Sequence, residues 1–278
     1  MKRLLSIELQ KIWLNKASRV LTLTYFILLS FIALIASINF EFGKLHFQVA
    51  EMGIFNFPYI WHFNTYAAAV LKLFLAIVIV SMMANEYSYG TLKQNLIDGL
   101  SKKEFILSKF VTIVLFALCS TVFVFIMTLI LGYSFSSYTE IGIVFSDLEY
   151  LLAFFVKLVG FFSFCLFLGI LVKRSAFALG FLLVWNVIEG VGKGFLNFRI
   201  FPEGKTAGYI TQFFPLEAMA NLIVEPISRL SVVKTIGTQM GVENLKDYSV
   251  HFATIVIVLC WTGVFLFLSY RILKNRDL

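Results

Sequence analysis

Phe110-Val-Thr-Ile-Val-Leu-Phe-Ala-Leu-Cys-Ser-Thr-Val-Phe-Val-Phe-Ile-Met-Thr-Leu-Ile-Leu-Gly132 runs without a single charged side chain. A bilayer core offers the backbone no water, so such a stretch must satisfy its own N–H and C=O groups, and a helix does that within one segment. Five more apolar stretches, 20–38, 63–84, 149–172, 175–195 and 250–270, fall in the same range of about 17–25 residues needed to cross a bilayer. The expected fold class is therefore an all-α membrane protein with about six transmembrane helices, forming one domain over 1–278. The alternation of an outer-membrane barrel strand is absent. Across the 278 residues, 60% are hydrophobic and only 14% charged, and mean hydropathy is +0.89. A soluble domain of this size needs many more polar side chains to cover its surface.

The net charge of +7 reads as membrane topology, and no nucleic-acid partner is expected. With the N-terminus placed in the cytoplasm, the inner segments hold fourteen Lys and Arg against five acids, and the outer segments seven against ten. That is the positive-inside pattern, and it places both termini in the cytoplasm. The turn Lys173-Arg174 between the fourth and fifth spans belongs on the same side. Residues 1–19 are basic and lead into an apolar run of spanning length with no small-residue cleavage site. They read as the approach to an uncleaved first span. Cys119, Cys165 and Cys260 all fall inside apolar runs and imply no disulfide framework. His46, His62 and His251 lie near outer membrane edges without metal-ligand spacing, and no metal site is expected.

Three segments outside the spans carry more information. Residues 1–19 place Leu5, Leu9, Ile12 and Trp13 on one helical stripe, the pattern of an amphipathic helix lying in the inner interface. Residues 39–62 are rich in aromatics suited to the interface. In the long extracytoplasmic segment 196–249, Pro215 is placed to open a short helix with Glu217 near its positive end, too short to span and expected in the outer leaflet.

The segment 85–109 joins the second and third spans. Gly90 and Gly99 punctuate it, and Ser101 followed by Glu104 is a capping-box start for the next helix. Between the glycines, Leu92, Leu96 and Ile97 form an apolar side, with Lys93, Asn95 and Asp98 opposite. Residue physics leaves two readings: a short helix held along the membrane as a docking surface, or an ordinary solvated loop.

The sequence Glu86, Gly90-Thr91, Gly99-Leu100-Ser101-Lys102 and Lys109 resembles the signature of ABC transporter permeases of the type-2 exporter class. In that family an acidic residue ending the second span precedes a Gly-Thr pair, followed by a small residue or proline, Ser-Arg, and a Lys opening the third span. Here Lys102 stands where Arg is usual, keeping the charge but not the planar fork. The motif covers about a tenth of the chain; span count, termini and the long last outer segment extend the likeness. The sodium-export, bacitracin and lantibiotic-immunity permeases are the most similar in flavour.

The resemblance implies a permease subunit in a bacterial inner membrane, pairing with a second permease as homodimer or heterodimer and with two copies of an ABC ATPase. It implies a coupling helix at Glu86, Gly90, Thr91, Leu92, Leu96, Ile97, Gly99, Ser101 and Lys102, and export of an amphipathic, peptide, drug or lipid-like substrate. The chain has no G-x-x-x-x-G-K-[ST], so ATP and Mg are expected in the partner subunit, with no cofactor and no catalytic residues here. The competing reading is an ATP-independent channel or secondary carrier.

Three charges lie within spans. Lys72 and Lys157 sit about eight residues from the outer ends of theirs, or about 12 Å, and Glu189 at comparable depth. Intramembrane charges are costly, so they face partners, wet cavities or membrane lipid headgroups. Glu189 is expected to pair with Lys72 or Lys157, the alternative being snorkelling toward the headgroups.

Overall fold

The computed structural model describes residues 2–37, 39–42, 45–48, 53–201, 205–229 and 246–276, with side chains for 3–32, 53–201, 206–229 and 246–276. The architecture is a helical bundle. Its helices are α1 (Lys2–Leu14), α2 (Lys16–Ser37), α3 (Tyr59–Ser88), α4 (Thr91–Ile97), α5 (Lys102–Phe135), α6 (Ile141–Val144), α7 (Glu149–Val172), α8 (Ser175–Phe195), α9 (Lys205–Thr211), α10 (Pro215–Asn221) and α11 (Phe252–Lys274). A short antiparallel hairpin, Asn39–Phe42 with Leu45–Gln48, follows α2 within the segment read as an aromatic interface.

Among the described residues, five helices are long and apolar enough to cross a membrane: α3, α5, α6 running into α7, α8 with the π-helical turn Leu196–Ile200, and α11. The remaining expected span, 20–38, corresponds to α2, whose last turn lies outside the described side chains. The helices outrun the apolar stretches where local chemistry allows. α5 starts at Lys102, eight residues before its charge-free run, because Ser101 and Glu104 complete the capping box: the Ser101 Oγ accepts from the Glu104 N–H, and the Glu104 carboxylate accepts from the Ser101 N–H.

α7 is the centre of the bundle. Apart from Lys157, its sequence beyond the first turn is apolar on every side, which suits a helix enclosed by neighbours, and it packs against α3, α5, α8, α10 and α11. Gly160 sets the approach to α10 and α11, since a Cβ there would meet Val258 at 2.7 Å and Met219 at 3.3 Å. α2 leans on α3 and α5, with Tyr25 fully buried and accepting a hydrogen bond from Ser120 at 2.9 Å. α8 is the least covered of the long helices, with Leu183, Val187, Ile188 and Val191 all exposed.

α1, α4, the Lys173-Arg174 turn and the end of α11 gather at one end of the bundle, where Arg276 donates to the carbonyls of Ile170 (2.6 Å) and Leu171 (3.0 Å). The guanidinium thereby supplies partners for orphan acceptors at the end of α7. At the opposite end, the indole N–H of Trp61 donates to the Val144 carbonyl at 2.7 Å, tying α3 to α6.

Candidate functional site

Four charges and a hydroxyl converge where α1, α3, α4 and α5 meet. The Glu86 carboxylate closes α3, and its Oε1 accepts from Lys109 Nζ at 2.6 Å and from Lys11 Nζ at 2.8 Å. Its Oε2 accepts from Thr91 Oγ1, in the first turn of α4, at 2.5 Å. Lys109, wholly buried, also donates to Glu8 Oε2 at 2.5 Å, and Lys11 lies 3.5 Å from Glu8. Two acids thus face two bases in a setting where Glu8 and Glu86 are only 5% and 2% exposed. Burying one such charge alone would be prohibitive, and the mutual pairing is what lets the group exist. Burial alone would lower the pKa of Lys11, but the hydrogen bond from Lys11 to Glu86 and the charges of Glu8 and Glu86 outweigh it and raise that pKa above the ordinary lysine value.

The network brings together Glu86, Thr91 and Lys109, three of the motif positions. It adds Glu8 and Lys11, which sequence reasoning counted only toward the charge balance of the N-terminal segment. Their i, i+3 spacing was the available signal; that they face Glu86 and Lys109 depends on how α1 docks. Docking also corrects the picture of α1. Glu8 and Ile12 face the bundle, while Leu9 and Trp13, expected on the same stripe as Ile12, are 36% and 54% exposed.

α4 is held between its two glycines. Gly90 (φ +68°) and Gly99 (φ +93°) both adopt the left-handed conformation that glycine enters without a Cβ penalty. Leu92 is buried and Leu96 packs against the core. Ile97, expected on the same side, instead points away and is 70% exposed. The helix has turned so that Leu92 and Leu96 alone satisfy the bundle. Its outer face carries Lys93, Gln94, Ile97 and Asp98, next to Tyr89 at 73% exposure. Ser101 caps α5, and Lys102 donates to the carbonyls of Lys274 (3.2 Å) and Arg276 (3.0 Å). An ammonium suits that place, because the C-terminal end of α11 carries partial negative charge.

The three charges within the apolar helices are arranged otherwise than expected. Glu189 pairs with neither Lys72 nor Lys157. Its carboxylate accepts from the Trp185 indole N–H at 2.6 Å and from the backbone N–H groups of Leu216 and Glu217, each at 3.0 Å. Pro215 opens α10 as expected, and Glu189, reaching over from α8, caps the N–H groups that the helix cannot satisfy itself. Glu217 in turn accepts from Lys193. Lys157, 4% exposed, reaches only the Ala220 carbonyl, at 3.4 Å, among the described residues, and Lys72 stands 4.6 Å from the centre of the Phe161 ring.

At the far end of α3, His62 is fully buried. Arg229 can only donate, so the His62 Nδ1, 3.0 Å away, accepts, and Nε2–H donates to the Val224 carbonyl at 2.7 Å. The ring stacks on Tyr150 at 4.3 Å, whose hydroxyl accepts from Arg229 and donates to the Tyr248 carbonyl. This is a neutral, hydrogen-bonded histidine serving as a clasp. His251 lies 3.1 Å from Asp247, and His46 falls outside the described side chains.

Over 76 residues the chain is 33% identical to a Bacillus subtilis (strain 168) protein described as "Uncharacterized protein YhcI". The match covers 26% of this chain and about a quarter of that relative. The family described as "Protein of unknown function (DUF2705)" matches residues 56–278, from the start of α3 through α11, and the chain belongs to that family.

Proposed function

We propose that the chain is the membrane-spanning permease subunit of an ATP-driven ABC transporter, with α4 as the element that receives force from a separate ATPase. The observation that carries this reading is the way α4 is mounted. Thr91 is bonded to Glu86, Glu86 to Lys109, and Lys109 to Glu8, so a short helix with an outward Ile97 and Lys93 is tied at once to α1, α3 and α5. A solvated loop has no need of a buried, four-charge anchor. A push on the outer face of α4 would pass into the bundle as movement of helices and not as local bending.

The remaining parts of the reading follow from charge and hydropathy. In this reading α2 is a sixth span, and the positive-inside bias of the basic loops supports a cytoplasmic position for both termini, α1 and α4. Leu9 and Trp13, turned away from the bundle, suit α1 to the inner interface. α10 then lies toward the outside. Two such chains, or this chain and a sister permease, would stand over two ATPase subunits that hold the ATP and Mg, and the cargo would be an amphipathic molecule moved outward.

Co-expression with an ABC ATPase of the same organism, followed by affinity purification in a mild neutral detergent, tests the reading. Ile97→Asp and Lys93→Glu on the outer face should each lower recovery of the ATPase about tenfold or more, as expected for loss of a central interface contact. The permease itself should elute and melt as before, since neither side chain is buried. Undiminished recovery with both substitutions present would remove the coupling role from α4.

A further inference from the structure

A cavity of about 600 Å³ lies between α3, α7, α8 and α10, within the 300–1,000 Å³ range typical of small-molecule sites. Lys72 and Lys157 both line it. Among the described residues no carboxylate is within ion-pairing distance of either. Lys157 meets a neutral carbonyl at 3.4 Å and Lys72 an aromatic face. The two acids on the cavity wall are already engaged: Glu217 with Lys193, and Glu225 with Ser228 and Lys246. Two lysines therefore share one open cavity with no acid among the described residues paired to either, an arrangement in which one anionic group between them would supply the missing partner.

The exposed part of the cavity wall is largely apolar. Val70, Leu73 and Leu183 line it and are 60%, 48% and 64% exposed, with the exposed amide of Asn186 beside them. Lys157 lies eight residues into α7, about 12 Å from the start of that helix. A small free anion would find charge there but gain nothing from the apolar wall; an alkyl chain alone would leave the lysines unpaired.

We propose that this cavity binds a single-tailed anionic amphiphile, its phosphate or carboxylate head between Lys72 and Lys157 and its chain leaving over Val70, Leu73 and Leu183. The amide of Asn186 and the hydroxyl of Tyr66, also on the wall, can complete the coordination of the head. The site is independent of the ATPase reading, because binding requires neither nucleotide nor partner. If the chain is a permease, the same cavity is where its cargo would be held.

The test uses the purified full chain in uncharged maltoside micelles, with displacement of a fluorescent alkyl phosphate as the readout. Dodecyl phosphate should compete at least about tenfold better than dodecylphosphocholine, whose head carries no net charge, and inorganic phosphate should fail to compete at the same concentrations. Lys72→Gln and Lys157→Gln should each weaken dodecyl phosphate about tenfold, the usual worth of one charge-assisted hydrogen bond, without lowering the melting temperature of the ligand-free protein. Lys72→Arg should retain the preference. Val70→Trp, which narrows the cavity from an exposed position and spares the packed interior, should weaken binding with both lysines in place. Equal competition by the phosphate and phosphocholine amphiphiles would overturn the proposal, as would unchanged affinity in the glutamine variants. Full displacement by inorganic phosphate would overturn the amphiphile assignment in favour of a plain anion site.

Discussion

Lys109 shows how one residue can be legible by type and illegible by partner. Its place opening the third apolar run marks it in the sequence, and its resemblance to a motif lysine singles it out. That it bonds both Glu8, 101 positions earlier, and Glu86, 23 positions earlier, is visible only once α1 lies against α5. The consequence is a graded expectation. Lys109→Met leaves two buried carboxylates with only the partly exposed Lys11 between them and should cost about 3–5 kcal/mol, the range for breaking a buried pair from one side. Lys11→Met removes a half-exposed lysine while Glu86 keeps Lys109 and Thr91, and should cost about 1 kcal/mol or less. Thermal unfolding in detergent measures both; equal losses would show that the four charges do not form the graded network drawn here. Glu189 carries the same lesson in the opposite direction. Its depth in an apolar helix pointed to a lysine, but backbone N–H groups at the start of α10 stabilise a carboxylate equally well and leave no trace in residue identity.

The starts of elements were readable where their signals are local. The capping box at Ser101 and Glu104 and the proline opening of α10 both depend on residues within one turn, so the sequence contains everything needed. The rotation of α4 does not. Seven residues with apolar side chains at 92, 96 and 97 can bury two of the three, and contact with the bundle chose Leu92 and Leu96. The turn joining α7 to α8 offers a test at this scale. Lys173 holds a left-handed conformation (φ +63°) as the residue ending α7. A side chain there is strained where glycine is not, so Lys173→Gly should raise stability by up to about 1 kcal/mol through relief of strain, partly offset by a more flexible unfolded chain. Its ammonium stands 5.7 Å from the Tyr87 ring, an exposed contact worth little by comparison. A fall in melting temperature for Lys173→Gly would mean that contact outweighs the backbone strain.

For the whole molecule, packing around α7 is the decisive feature. Gly160 lets α10 and α11 approach, and the added methyl of Gly160→Ala would enter the space of Val258. That overpacking should cost about 1–3 kcal/mol, and Gly160→Ala paired with Val258→Ala should recover part of it; no recovery in the double variant would show that the strain lies elsewhere. Hydropathy, charge balance and turn residues by themselves determined that this protein is a helical bundle, which segments are long and apolar enough to span, and where α5 and α10 begin, because each of those depends on the chain's neighbours in sequence and on the solvent. Only the tertiary structure decided that Glu8 completes the anchor under α4, that Ile97 faces outward, that Glu189 caps α10, and that Lys72 and Lys157 are left together in one cavity. Those outcomes turn on which helix faces meet, and in apolar helices with little amphipathic contrast the choice of face is made by interhelical fit and by the few buried charges that must find one another.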